Sequence, residues 1–366
     1  VRFHVVGLPH TETNFEHLTC AYTQKVVKFC EMMLDRGHEV FLYSAENNIA
    51  RCTEHVTVLS STDQLRFFGP HDKAALPAVD WDPNSEYWRI MNTNTINGIR
   101  ERKQERDIIC LIAGTAQRPI ASALPELLSV EYGIGYSGVF SDYLVFESYA
   151  WMHHIYGLRG DDNGHFYHDV VPNYFDVKQF TPVAKPKGDY LLWMGRMIAR
   201  KGPNIAAEIA ERAGIPLVMA GNGLIKQDGD EFIANDITFK SGNATHVGPV
   251  GVEERAELMA NAYALLMPTL YLEPFGGVHV EAMLSGTPVI TPDYGVFPET
   301  NLNGVTGFRF HTLREAVRGV ERIEELNRAA IRTYAVNRFG LGPVGRQFET
   351  YFERLLGLYG DGWYEK

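Results

Sequence analysis

The chain reads as an α/β protein of two doubly wound, Rossmann-like domains, and three features of the sequence predict this. Short apolar runs alternate with stretches of helical period along its length, the pattern of βαβ units around parallel sheets. A stretch without hydrophobic period, Thr181 to Gly188 with Pro182 and Pro186, divides the chain into halves of similar size. The length of 366 residues, 45% of them hydrophobic, suffices for a core in each half. The predicted domains are residues 1–183 and 184–342, followed by a terminal helical segment, 343–366.

Arg2 to Val6 is read as the first strand, leading into a turn-rich loop, Gly7 to Asn14. Val26, Val27, Cys30, Met33 and Leu34 recur at helical spacing, Gly37 stops that helix, and Glu39 to Tyr43 makes a second strand. Val56 to Leu59 and Leu65 to Phe68 are weaker strand candidates, and the Pro-, Asp- and Asn-rich stretch from Pro70 to Asn97 is expected to be a long loop. Asp107 to Ile112, Leu128 to Glu131 and Leu144 to Glu147 resume the runs of a buried sheet. In the second half, strands are expected at Tyr190 to Met194, Leu217 to Ala220, Ile237 to Phe239, Ala264 to Met267, Pro288 to Thr291 and Gly307 to Phe310. Phe348, Tyr351, Phe352, Leu355 and Leu356 then mark one face of a last helix that lies too far along to be an ordinary crossover.

Charge and cysteine usage narrow the function classes. Lys+Arg 34 against Asp+Glu 45 gives a net charge of −11, which argues against non-specific nucleic-acid binding as the main activity. Cys20, Cys30, Cys52 and Cys110 form no C-x-x-C pair, so free thiols in a reducing compartment are expected rather than a disulfide or zinc framework. No apolar run is long enough to span a bilayer, and the strand-like start, Val1 to Val6, offers no secretory leader; a cytoplasmic location is the expectation.

Ligands of doubly wound sheets bind at the carboxyl ends of the strands, so the loops there should carry the chemistry. After Leu191 to Met194 comes Gly195-Arg196, then Lys201-Gly202-Pro203 opening a helix. Two cations on a strand-to-helix loop, bracketed by glycines, suit a diphosphate, although a single such pair is more often a solvated turn. Gly221-Asn222-Gly223 follows the next strand and is weak evidence by itself. The strongest signal is Glu273-Pro-Phe275-Gly276-Gly277, with Glu281 two turns into an apolar helix. Glycines at the start of a helix expose N–H groups that favour negative charge, and a carboxylate on so apolar a helix needs a partner. Adjacent His153 and His154 point apart on a helix and do not make a metal site, and His165 and His168, read as strand, fall on opposite faces. Aromatic residues from Tyr132 to Trp151 are core by default; their cluster also suits stacking on an acceptor.

The run Glu-Pro-Phe-Gly-Gly-x4-Glu-Ala, continued by Ser285 to Ile290, resembles the E-x7-E region of retaining GT-B glycosyltransferases, family 4. Gly195-Arg196 with Lys201-Gly202 is similar to that family's diphosphate-binding pair. Val171 to Phe180 and Asn303 to Phe308 resemble two further family segments in order. The resemblance implies two domains facing a central cleft, with the final helix crossing back to the first. It implies a nucleotide-diphosphate-sugar co-substrate, a UDP- or GDP-sugar, with no other cofactor and no metal. Arg196 and Lys201 would then stabilise the leaving diphosphate, Glu273 would contact the transferred sugar and Glu281 the ribose. Phe275, Gly276 and Gly277 would complete the cradle with Gly195, Gly221 and Asn222, and the nucleobase would lie near His246 and Val247. In the first domain Gly7 is expected to let the diphosphate approach, and His10, Thr11, Asn14 and Tyr132 are acceptor candidates. Where many relatives carry a histidine after the fourth strand, this chain has Ala113 to Arg118, leaving Gln117 or His153 as substitutes near the reactive carbon.

Other readings compete. A transferase acting on hydroxylated bases of DNA would need the basic run Arg100, Arg102, Lys103 and Arg106, which alternates with Glu101 and Glu105 as a solvated face does. A non-catalytic sugar-nucleotide sensor and a sugar epimerase of the same fold remain, the first disfavoured by Arg196, Lys201, Glu273 and Glu281 occurring together.

Overall fold

A computed structural model describes residues 1–14, 17, 20–70, 77–183, 186 and 188–358. In chain order the first half contains β1 (Arg2–Val6), α1 (Ala21–Asp35), β2 (Glu39–Ala45), β3 (Glu54–Leu59), α2 (Ser61–Phe68), α3 (Glu86–Arg102), β4 (Ile108–Leu111), α4 (Arg118–Ala123), β5 (Leu128–Ile134), β6 (Tyr143–Phe146), α5 (Tyr149–Arg159) and β7 (Asp169–Val170). The rest comprises β8 (Leu191–Met194), α6 (Pro203–Ala213), β9 (Leu217–Ala220), β10 (Leu224–Asp228), β11 (Glu231–Ala234), β12 (Thr238–Lys240), β13 (Ala244–His246), α7 (Val252–Asn261) and β14 (Ala264–Leu266). It closes with α8 (Gly277–Leu284), β15 (Val289–Pro292), α9 (Phe297–Thr300), β16 (Gly307–Phe310), α10 (Leu313–Glu321), α11 (Arg328–Phe339) and α12 (Leu341–Leu358).

Two compact units result, the first from residues 1–147, 152–174 and 341–366, the second from 148–151 and 175–340. In the first, a parallel seven-stranded sheet runs β3-β2-β1-β4-β5-β6-β7. In the second, a parallel six-stranded sheet runs β13-β9-β8-β14-β15-β16. Both orders start in the middle, move outward one way, then return and move outward the other way. The carboxyl ends therefore diverge at β1/β4 in one unit and at β8/β14 in the other, the switch points where such sheets bind ligands.

The division falls between Tyr174 and Phe175, upstream of the predicted 183/184 join, where Ala184, Lys185 and Lys187 lie outside the described residues. The reason is packing: the Phe175 N–H donates to the Phe339 carbonyl at 2.9 Å, and Phe175 and Phe180 are buried with Leu265, Phe275 and Phe339 in the second unit. The terminal helix joins the first unit, as the family resemblance implied. Val344, Phe348, Tyr351, Phe352 and Leu355 are buried with Phe3, Phe29 and Tyr132, and Phe348 meets Phe29 edge-on at 5.3 Å.

Several local expectations fail. Leu65 to Phe68 is helix because Ser60 caps α2, its hydroxyl accepting from the Asp63 N–H at 3.0 Å. The supposed loop from Pro70 to Asn97 contains most of α3, whose Trp88, Met91, Thr95 and Ile99 form one buried stripe. His71 to Leu76 of that stretch lie outside the described residues. Ile237 to Phe239 is no part of the parallel sheet: β12 closes a separate antiparallel sheet, β10-β11-β12, and the sixth parallel strand is β13. His165 and His168 bracket a turn rather than a strand and stack with centroids 4.3 Å apart, not on opposite faces. Cys20, Cys30, Cys52 and Cys110 are free. No described helix is long and apolar enough to cross a membrane.

The core role of α12 has a measurable size. Phe348→Ala should lower the unfolding free energy by about 3–5 kcal/mol in chemical denaturation, as expected for a fully buried phenylalanine. A change below about 1 kcal/mol would show that the helix contributes little to the first unit.

Candidate functional site

The second unit gathers its charged motifs at the β8/β14 switch point. The loop after β8 turns back at once, with the Gly195 N–H donating to the Ala220 carbonyl at 3.0 Å and Met197 N–H to the Asn222 carbonyl at 2.7 Å. Gly221 must be glycine: its φ is +134°, and a Cβ would collide with the Gly195 carbonyl. Gly202, in the left-handed region at φ +67°, lets the loop close over Pro268 and caps α6, where Pro203 opens the helix. The Trp193 indole N–H donates to the Lys201 carbonyl at 3.2 Å, anchoring the loop from below.

The loop after β14 faces it. Lys201 Nζ donates to Glu273 Oε2 at 2.7 Å, with Lys201 about a quarter exposed and Glu273 9% exposed in their side chains. The Leu270 N–H and the Thr269 hydroxyl both donate to the Arg200 carbonyl, at 2.8 and 3.1 Å. Two loops from strands adjacent in the sheet but distant in sequence are thus laced through backbone and side chain. Arg196 projects exposed at the same edge.

Gly276, at φ +75°, supplies the left-handed cap of α8, and a Cβ there would press on Glu273 Cγ and Met267 Cε. Phe275 is buried beneath it. His279 locks the first turn by donating from Nδ1 to the Gly276 carbonyl while Nε2 lies 2.8 Å from the Thr300 hydroxyl. Burial holds its imidazole down at about 4. One turn into α8, rather than the two expected, Glu281 is 9% exposed; Oε1 lies 3.4 Å from Arg255 Nη1, and Oε2 is buried without a hydrogen-bond partner. At the outer side of the sheet, His246 Nε2 donates to the Gly221 carbonyl at 2.9 Å, with its pKa lowered by burial, and the Val247 side chain is exposed.

The first unit treats its candidates differently. Gly7 N–H donates to the Tyr43 carbonyl at 2.8 Å, and a Cβ at Gly7 would press on the Ser44 side chain at 3.0 Å. Gln117 is a brace rather than a substrate contact: fully buried, it donates to the Gly7 carbonyl at 2.9 Å and accepts from the Ile112 and Ala113 N–H groups at 2.8 and 3.0 Å. Tyr132 is core, its ring tilted against Phe29 with centroids 4.4 Å apart and completely buried, so it offers nothing to an acceptor. Thr11 shares a hydrogen bond with Thr23, and Asn14 bonds Glu12 and His17. His10 is buried with its Nδ1 unpartnered, edge-on to Phe68 and Trp81, and desolvation lowers it to about 4. His153 is exposed on α5. The sequence reading missed the buried pair Lys25–Glu147 at the same carboxyl edge, because a lysine in an amphipathic helix carries no signal of burial. Burial lowers the Lys25 pKa, with the nearby Cys20 working in the opposite direction.

Of the basic run in α3 and beyond, Arg102 pairs with Glu54 and Glu101, Lys103 with Glu126 at 2.6 Å, and Arg106 donates to the Leu356 carbonyl. Among the described residues no three His, Cys, Asp or Glu side chains converge as metal ligands would.

His279 makes the start of α8 acid-sensitive. Its folded pKa of about 4 lies below the unfolded 6.5, so the unfolded chain binds the extra proton first and stability present above pH 6.5 is lost as pH falls toward 4. That loss amounts to on the order of 3 kcal/mol at the acid end of the window. In His279→Gln, denaturation measured across the same range should show a correspondingly flatter decline; an unchanged slope would refute the assignment.

Comparison with known proteins bears on the same unit. Residues 176–338 match the family model described as glycosyl transferases group 1. The chain is 30% identical over 163 residues to a D-inositol 3-phosphate glycosyltransferase of Arthrobacter sp. strain FB24, 40% of this chain and 38% of that protein. It is 31% identical over 217 residues to the protein of that name from Paenarthrobacter aurescens strain TC1, 52% of each. Spore coat protein SA of Bacillus subtilis strain 168 is 24% identical over 183 residues, 46% of this chain and 48% of that one. The chain thus spans about half or less of the length of these curated relatives. Among solved structures, AviGT4, a glycosyltransferase involved in avilamycin A biosynthesis, superposes with TM-score 0.67 at 20% identity, over 97% of this chain and 98% of that one. Anabaena Alr3699/HepE in complex with UDP-glucose gives 0.63 at 13%, over 96% and 99%. The segment that carries the laced basic and acidic loops is therefore the one that matches the group 1 glycosyl transferases, on a GT-B fold of two Rossmann-like domains.

Proposed function

We propose that the protein is a retaining glycosyltransferase that moves a hexosyl unit from a UDP- or GDP-sugar to an acceptor hydroxyl without a metal ion. The observation that carries this reading is the Lys201–Glu273 pair at the β8/β14 switch point, beside the glycine-capped start of α8. Arg196, Lys201 and the N–H groups around Gly277 supply positive potential for a diphosphate. When the diphosphate draws Lys201, Glu273 is released to accept hydroxyls of the transferred sugar, and the idle buried Oε2 of Glu281 suits a ribose hydroxyl. The bond from the anomeric carbon to the diphosphate breaks and a bond from the acceptor oxygen forms on the same face. The acceptor proton passes to the departing diphosphate oxygen, so no protein base is required. The D-inositol 3-phosphate glycosyltransferases and the HepE complex with UDP-glucose support this reading. On the acceptor side, the unused Nδ1 of His10 is the group best suited to a hydroxyl. The DNA-directed alternative loses its footing, since the cations it needs are engaged in ion pairs and carbonyl contacts.

A thermal-shift screen of UDP-, GDP- and ADP-sugars should single out the donor by its stabilisation of the folded chain. With that donor, Lys201→Ala should cut turnover by about 10²–10³ while leaving the melting temperature in place; near-normal turnover would sink the assignment. Glu281→Ala should weaken nucleoside diphosphate binding by about tenfold or more in calorimetry, and much less for a nucleotide lacking ribose hydroxyls. Equal losses for both nucleotides would remove Glu281 from ribose binding.

A further inference from the structure

Four charged groups, Arg196, Arg200, Lys201 and Glu273, surround a residue to which the sequence reading gave no role. Tyr271 lies in the loop after β14, between Leu270 and Glu273. The Arg200 guanidinium carbon stands 3.8 Å from the centroid of its ring, and Lys201 Nζ stands 4.9 Å from it. The Glu273 carboxylate and the Arg196 guanidinium both act electrostatically on its hydroxyl. Burial and the adjacent carboxylate together raise its pKa, so the hydroxyl keeps its proton and can donate. The ring is held in turn: the carbonyl of Arg200 is gripped by Leu270 and Thr269, and the Tyr294 hydroxyl donates to the Thr269 carbonyl. One side chain therefore presents a π face to the cations of one loop and an O–H to the carboxylate of the other.

That arrangement solves a problem the Lys201–Glu273 pair creates. A lysine and a glutamate that neutralise each other at 2.7 Å are both poorly available to a ligand. When an anion draws the lysine away, the glutamate is left partly buried with one partner fewer, which is costly unless another donor stays with it. The Tyr271 hydroxyl is that donor, and the ring face keeps a place for the cation close by.

We propose that Tyr271 is the positioning residue of the donor site: it holds Lys201 and Arg200 against the diphosphate, making Arg200 a third diphosphate cation, and keeps Glu273 aimed at the sugar after Lys201 changes partner. The inference rests on the donor reading above and adds a division of labour, with the ring serving binding and the hydroxyl serving transfer. A residue that only filled space would show no such division.

The test uses Tyr271→Phe, Tyr271→Leu and Arg200→Gln, with UDP and inorganic pyrophosphate as calorimetric probes and steady-state transfer from the donor found by thermal shift. Tyr271→Phe should bind both probes within about twofold of the unaltered protein yet lose about five- to tenfold in kcat, the loss of one charge-assisted hydrogen bond. Tyr271→Leu should bind both about tenfold more weakly, since the cation–π platform is gone. Arg200 is exposed, so Arg200→Gln should fold normally and weaken pyrophosphate binding by about three- to tenfold, with a shallower salt dependence. Equal affinities for the Phe and Leu variants, full kcat in Tyr271→Phe, or unchanged pyrophosphate binding in Arg200→Gln would each overturn the proposal. If the unaltered protein binds no nucleoside diphosphate, the donor reading itself fails; if it binds one and the variants behave alike, only the role of Tyr271 does.

Discussion

The contact between Lys201 and Glu273 is the constraint around which the second unit is arranged. It joins the loops that follow the first and fourth strands of a doubly wound sheet, and these strands are neighbours only because the order runs β13-β9-β8-β14-β15-β16. For the loops to meet, the backbone must pass the Pro268 carbonyl at Gly202 and the Gly195 carbonyl at Gly221 more closely than a side chain allows, and Gly276 leaves room for the Glu273 and Met267 side chains; all three have positive φ. A partly buried ion pair of this kind adds little net stability, because desolvation offsets most of the attraction. Its value lies in order: each charge keeps the other at the edge of the sheet and out of the core.

The two units share a strand order and use it for different ends. At the β8/β14 switch point the second unit places a paired cation and carboxylate. At the β1/β4 switch point the first unit places Gln117, whose amide ties the Gly7 loop to the Ile112–Ala113 turn and leaves no polar group of its own free. Topology sets where a ligand can approach, and the loop residues decide what happens there.

Legibility in the sequence followed the same line. The strands flanking the site and the loop motifs were readable because buried parallel strands are short, continuous apolar runs and because glycines beside charges mark close backbone approach. Trp88, Met91, Thr95 and Ile99 hid α3, since a helix face that includes threonine and follows a Pro- and Asp-rich stretch lacks the contrast that periodicity needs. β13 hid behind β12: both are three-residue strands, and which one joins the parallel sheet is decided by the antiparallel hairpin turning at Asp228 to Glu231, a tertiary fact. Tyr132 and Gln117 sat at the positions expected of acceptor contacts, but their burial depends on neighbours distant in sequence, Phe29 and Phe348 for one and Gly7 for the other. Tyr271 escaped notice because an aromatic residue beside a motif is ordinary until the cations are seen over its face.

The discontinuity of the first unit carries a consequence for biogenesis. Its core takes Val344, Phe348 and Phe352 from α12, which follows the entire second unit in the chain. On a ribosome, residues 175–340 can therefore complete a domain while the unit begun earlier still lacks one wall, leaving Phe3, Phe29 and Tyr132 short of their partners. The unit started first is finished last, and its contacts between β1, α1 and α12 are among the most distant in sequence, which makes their closure a slow step of assembly.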